Sequence, residues 1–325
     1  MTIYVVRRFL QSVVVLFVIT LLVFLSVNVI GNPVDILIDP ECDQACRAQA
    51  MRNFGLDRPL HEQYMVFVWN ALHGDLGDSF ISKVSAVKLI LERLPASLEL
   101  TICALLLALV VGIPTGMWAG LKPDTTSAKL IMGLSTLGFS VPGFWIALIM
   151  IIVFAVELGW LPSSGRGETV EVLGFKFSFL TPNGLYHLIL PAATLSLYHM
   201  ALITRLVRAG VRETIFLDFI KFAYAKGLSR QRVLFIHLLK NILIPVVTVL
   251  GLEFGGLLAY AVVTETVFAW PGMGKLLLES INVLDRPVIV AYVMLIVVIF
   301  ITINLLVDIL YSLLDPRVRL SGAPK

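Results

Sequence analysis

Seven polar or ionisable residues stand inside, or at the edge of, long apolar stretches: Asn28, Glu99, Glu157, His199, Glu253, Asn304 and Asp308. Burying such groups in lipid is costly, so they either reach water or serve an ion, a solute or a partner. Glu99, Glu157 and Asp308 lie close to stretch ends, where snorkelling to water is the simpler reading. Glu253 lies mid-stretch. Lining a path, facing a second subunit and being protonated are all open to it. His199 is similarly placed, and a hydrogen-bonded packing role stands ahead of solute contact.

These groups do not compose a catalytic site. No nucleophile–base pair, metal-ligand cluster or cofactor loop is evident. No Gly-rich loop ends in Lys-Ser/Thr, so ATP chemistry is not expected on this chain. The segment Gly112-Ile113-Pro114-Thr115-Gly116 lacks the lysine. Cys103 falls in an apolar stretch, where a thiol packs as a small hydrophobe. Cys42 and Cys46 are spaced i,i+4, and a local disulfide and two free thiols are both open. Metal binding there is disfavoured because no His or further Cys is close in sequence.

The elements that must position these residues are membrane helices. Of 325 residues, 58% are hydrophobic and 14% charged, with mean hydropathy +0.92. A soluble domain carries about a quarter charged residues. Segments 9–34, 100–121, 130–156, 177–204 and 287–307 contain no Asp, Glu, Lys or Arg, and 241–264 contains only Glu253. A spanning helix needs about 20 apolar residues. The expected fold is an all-α integral membrane protein with six helices near 9–30, 97–120, 131–156, 188–207, 242–264 and 288–313. The fourth is placed late because Pro182-Asn183-Gly184 reads as a turn. The first stretch lacks an evident small-x-small site and reads as an anchor rather than a cleaved signal. A net charge of +3, with no basic face interleaved with aromatics, gives no reason to invoke nucleic acid.

With the N-terminus inside, segments 1–8, 121–130, 204–241 and 315–325 hold 15 Lys/Arg against 4 Asp/Glu. The opposite segments, 31–95, 158–187 and 265–287, hold 10 against 14. The positive-inside rule then puts both termini in the cytoplasm. The expected domains are 1–30 (N-terminus and first helix), 31–96 (a structured extracytoplasmic loop), 97–314 (the helical core, including cytoplasmic segment 205–241) and 315–325 (a cytoplasmic tail). In the loop, 44–54 and 61–72 read as helices, the second amphipathic through Tyr64, Phe67, Val68 and Leu72. In 265–274, Pro271-Gly272 bends the chain, and Phe268 and Trp270 suit a membrane interface. Pro142 and Gly143 bend or unwind the third helix, and Phe139 and Phe144 beside them are candidates for packing or for an apolar gate.

The basic segment 218–232 is a short helix around 219–226 stopped at Gly227, a stiff knob between two spans. Ala223 and Ala225 are small enough for a surface to approach closely. The segment resembles the Ala-Ala-x-x-x-Gly loop of ABC-importer permeases, in the Ala-x-Ala-Lys-Gly-Leu-Ser variant of dipeptide and oligopeptide permeases. Ala223, Ala225, Lys226, Gly227, Leu228 and Ser229 stand in that pattern, and His237, Asn241 and Pro245 fit its tail. Tyr224 stands where the family has Arg, Phe219 and Phe222 replace Val and Thr, and the opening Glu is absent. Gly55-Leu56-Asp57-Arg58-Pro59, Gly74-Asp75-Leu76-Gly77, Ser140-Val141-Pro142-Gly143-Phe144-Trp145, residues 265–274 and Leu314-Asp315-Pro316-Arg317 extend the resemblance over nearly the whole chain.

The resemblance implies a multi-pass bacterial inner-membrane permease, similar to the first of two permeases in an oligopeptide system. It implies a heterodimer with a homologous permease, two cytoplasmic ATPases that bind ATP and Mg, and an extracytoplasmic peptide-binding protein. Phe219, Phe222, Ala223, Tyr224, Ala225, Lys226, Gly227 and Leu228 would form the ATPase-coupling surface. Phe139, Pro142, Phe144, His199 and Glu253 are candidates for the path or gate. Dipeptide, nickel and glutathione systems share the pattern. From other classes, the rivals are a membrane-bound enzyme and a secondary transporter or channel, the latter disfavoured by the lack of an evident inverted repeat.

Overall fold

The computed structural model describes residues 2–29, 44, 49, 52, 57–172 and 174–314, and side chains over 10–26, 44, 49, 52, 57–172 and 174–307. Cys42 and Cys46, the 315–325 tail and the Asn28 and Asp308 side chains lie outside these. So does most of the expected 44–54 helix. The elements are α1 (Thr2–Val29), α2 (Leu60–Leu72), α3 (Ala86–Leu121), α4 (Thr126–Ser140), α5 (Gly143–Glu157), β1 (Val170–Val172), β2 (Phe175–Phe177), α6 (Pro182–Thr214), α7 (Asp218–Ala225), α8 (Arg230–Val267), α9 (Met273–Asn282) and α10 (Arg286–Leu314). The second half of α5, Ile151–Glu157, and Val233–Leu238 of α8 are π-helical. The two strands form one antiparallel hairpin with Val170 opposite Phe177.

Among the described residues, α3, α6, α8 and α10 are long and apolar enough to cross a membrane. The third stretch is bent where Pro142 and Gly143 led one to expect it: α4 and α5 meet at 110°. Pro142 is the cause, since it disfavours helical backbone at Val141, which is extended at φ −93° and ψ 130°. The fourth helix starts at Pro182, not near 188, because Thr181 is its N-cap. The Thr181 hydroxyl accepts from the Gly184 amide at 2.9 Å, and proline fits the first helical position. Residues read as a turn are therefore a helix start.

The chain divides into two compact units, 1–94 with 276–302, and 95–275 with 303–325. In the first, α2 packs on α1 through the expected residues Tyr64 and Phe67. The Tyr64 hydroxyl lies 2.9 Å from Thr20 Oγ1, and the Phe24 ring contacts both aromatics. The turn after α2 is fastened by Asp285: Ser79 Oγ donates to its carboxylate, as does the Phe80 amide.

The second unit is organised around α6. Glycines of α3 recur at every fourth residue, Gly112, Gly116 and Gly120, and each meets a branched residue of α6: Ile203, Val207 and Val211. A methyl group at any of them would fall within 3 Å of that side chain. Small residues at this spacing let two helix backbones approach closely, the packing used within membranes. The 112–116 stretch, glycine-rich but lacking the lysine of a phosphate loop, is thus a helix-packing face. Thr115 and Thr204 hydroxyls meet across it at 3.0 Å. Other hydroxyls in these helices satisfy themselves on the carbonyl four residues back, including Thr101 on Ser97 and Thr194 on Leu190.

Candidate functional site

Helix α7 is a short amphipathic helix set on the second unit. Ile220 and Ala223 are buried in a core cluster with Val207, Val211, Val233 and Leu238. Phe222, 60% exposed, stands on the opposite side, and Phe219 and Tyr224, 40% and 43% exposed, flank the buried pair. Lys226 Nζ lies 4.6 Å from the Phe222 ring centroid, a cation–π contact that steadies the exposed ring. Lys221 pairs with Asp218 at 2.9 Å in the first turn. Gly227 follows the helix at φ +75°, with open space where a side chain would stand. That left-handed conformation costs other residues about 1–2 kcal/mol. Ser229 then caps α8 by accepting from the Arg232 amide. The eight expected coupling residues therefore do different things. Ala223 is small so that α7 can lie against its own helical core, while Phe219, Phe222, Tyr224, Ala225 and Lys226 face outward. Leu228 packs partly against the same core.

The path candidates divide as well. The Phe139 ring stacks edge-on against Tyr198, with centroids 4.8 Å apart, and the Arg205 guanidinium lies 4.6 Å over it. Arg205 also donates to Thr136 Oγ1 at 3.0 Å. Phe144 and Pro142, past the 110° bend, are exposed. His199 and Glu253 come together: Nε2 lies 3.6 Å from the carboxylate, with side-chain exposures of 4% and 36%. The ring lies by the Leu195 carbonyl, yet neither of its nitrogens meets hydrogen-bond geometry with the protein.

A third locus, strongest in hydrogen bonds, was only partly signalled by the sequence. Glu99 does not snorkel. Its side chain is fully buried and accepts from Arg166 Nε and Nη2, from Ser178 Oγ, and from the Ser178 and Phe179 amides. Two residues earlier, Ser97 donates to Glu265 at 2.6 Å. Glu265 also accepts from the Gly274 and Lys275 amides, so it caps the start of α9. Between them, Trp270 donates from its indole to the Ala96 carbonyl at 2.9 Å, and the Met273 amide donates to Ser97. Arg166 lies over the Trp270 ring, and the Gly165 amide donates to the Phe268 carbonyl. One turn of α3, 96–99, thus fastens both the 158–181 and the 265–275 connections. Phe268 and Trp270 are buried, not interfacial anchors. The signal for this locus was the acid, hydroxyl and Pro95 crowded at the start of an apolar stretch.

Long apolar helices, a glycine-lined contact between two of them, a bent helix pair and an outward-facing aromatic helix define a multi-pass membrane permease component. The chain belongs to the family described as binding-protein-dependent transport system inner membrane component. Residues 112–320 match that family, and residues 1–101 match its N-terminal counterpart. The di/tripeptide transport system permease protein DppB of Pseudomonas aeruginosa (strain UCBPP-PA14) is 39% identical, over 97% of this chain and 98% of that protein. The oligopeptide transport system permease protein AppB of Bacillus subtilis (strain 168) is 38% identical, over 98% of this chain and 100% of that one. A solved structure of the MetNI methionine ABC transporter, described as inward facing, shares the fold. Its TM-score is 0.52 and its identity 17%, over 70% of this chain and 96% of that one.

Proposed function

We propose that this chain is one of two homologous permease subunits of an ATP-driven peptide importer, and that α7 is its contact with a cytoplasmic ATPase. The observation that carries the proposal is the two-sidedness of α7. Ile220 and Ala223 anchor it to the helical core, Phe222 stands unburied on the far side with Asp218 and Lys221, and Phe219 and Tyr224 stand unburied at its flanks. Aromatics held rigid outside a fold are typical anchors for a partner's pocket. The likeness to permeases named for di/tripeptide and oligopeptide transport supports a peptide substrate, with oligopeptides preferred and dipeptides close behind.

In this reading α1, α3, the α4–α5 pair, α6, α8 and α10 are the six spans. Both termini and α7 are cytoplasmic, as the lysine and arginine distribution favours. Residues 31–96 form an extracytoplasmic cap that meets a peptide-binding protein, 97–314 form the permease core with coupling segment 205–241, and 315–325 form the tail. The bent α4–α5 pair, with Phe139, Pro142 and Phe144, lines half of the path, and the second permease supplies the other half. ATP-driven closure of two ATPases pushes the two α7 knobs together and swings the cores outward. Because the buried side of α7 packs on α6 and α8, movement of the knob is transmitted to those helices.

The test is co-purification followed by reconstitution. The chain should bring a second permease and two ATPases with it, and vesicles of the complex should take up labelled tripeptide only with ATP and the binding protein. ATP-independent uptake by the chain alone would instead favour a channel or secondary transporter.

A further inference from the structure

Of the acids in the described helices, Glu253 stands farthest from a helix end. It stands fourteen residues from each end of the helical stretch Leu239–Val267, about 21 Å along the axis either way. At that depth a carboxylate is costly unless it is paired or faces water. Its pairing is incomplete. Among the described residues the one basic side chain within ion-pair reach is His199, at 3.6 Å. Arg205 does not serve it, being stacked on Phe139 and bonded to Thr136 about 9 Å farther along α6. The His199 ring is buried and has no hydrogen-bond partner for either nitrogen. It meets the carboxylate at Oε2, and the Glu253 side chain remains 36% exposed.

The surroundings of the pair are aromatic. Tyr198 packs edge-on against the His199 ring, with centroids 5.1 Å apart. Tyr260 is seven residues from Glu253 on the same face of α8 and is 74% exposed. A partly exposed carboxylate with one tyrosine against its partner and another two turns along its own helix is recognition chemistry for an organic cation. An ammonium has three donors to share between the carboxylate and hydroxyl oxygens, and π faces attract its charge.

We propose that Glu253, backed by His199 and flanked by Tyr198 and Tyr260, receives the ammonium group of a peptide in transit. The proposal rests on the reading of this chain as a peptide permease and adds to it the chemical group the path reads. The amine, present at the start of every unblocked peptide, is the one cation common to peptides of any sequence, so such a site suits a carrier of mixed peptides. The carboxylate is exposed enough to exchange the amine rather than trap it.

The test uses the complete importer in vesicles, with saturating binding protein and two probes, a free-amine tripeptide and its N-acetyl analogue. Glu253→Gln should lower ATP-driven uptake of the free-amine peptide about tenfold, the scale of one charge-assisted contact. Glu253→Asp should recover most of that uptake. The amount of assembled complex should match the unaltered importer. The preference for the free-amine probe should disappear in Glu253→Gln. If Glu253→Gln transports the free-amine peptide as fast as the unaltered importer, or if Glu253→Asp fails as badly as Gln, the proposal is overturned. If the unaltered importer shows no ATP-driven peptide uptake at all, the functional reading itself fails, and the two failures are distinct.

Discussion

Glu99 and Glu253 are both glutamates in apolar helices, and their surroundings give them opposite roles. Glu99 is saturated by an arginine, a hydroxyl and two amides, and so works as a fastener. Removing it leaves the largely buried Arg166 guanidinium with the Lys176 carbonyl but no counter-charge, and breaking a buried pair costs up to about 3–5 kcal/mol. Glu99→Ala should therefore lower the thermal midpoint of the purified complex strongly, whereas Glu253→Gln should leave it nearly unchanged. Equal midpoint losses would contradict this division. The sequence exposed both acids but could not separate them. The partners of Glu99 lie 67 to 80 residues away, and only tertiary structure brings them in. Gly116 is the other residue of consequence. A methyl there would stand 2.7 Å from the Val207 side chain and from the Thr204 carbonyl. Gly116→Val should cost at least about 1–3 kcal/mol through overpacking. Gly133, whose Cβ would meet open space, is the control: Gly133→Ala should be tolerated in the same thermal assay.

At the scale of the element, α7 was the most legible part of the chain. Its glycine stop follows from local residue chemistry, whereas its start at Leu217, which has no side-chain cap, does not. Which face is which was not legible. Small Ala223 invited a partner-facing reading, but the core formed by α6 and α8 takes it. Ala223→Phe should consequently disturb the seating of α7 on its own core and lower both stability and transport. Gly227→Val should leave the core intact, because nothing in this chain meets the new side chain. Its effect should appear as ATP hydrolysis no longer matched by uptake, read by measuring both in the same vesicles. Uptake per ATP at the unaltered level in Gly227→Val would count against a coupling role for the turn. The α4–α5 break was legible at Pro142 and Gly143, but not its 110° angle, which depends on where the neighbouring helices hold each half.

At the scale of the whole molecule, hydropathy indicated apolar helices because a membrane requires each to satisfy its own backbone. It underestimated their length. The helices at 86–121, 182–214 and 230–267 run well past the apolar stretches, because their polar ends continue as packed helix. The central claim is that α7, through its exposed aromatics, joins this permease to an ATPase. The most direct measurement is peptide uptake and ATP hydrolysis by the reconstituted importer carrying Phe222→Glu, since Phe222 is the most exposed aromatic of that helix. The account predicts a loss of uptake of at least about tenfold, as for an interface anchor, in a chain that inserts normally and keeps its thermal midpoint. Uptake at the unaltered rate, with ATPases bound as before, would contradict it.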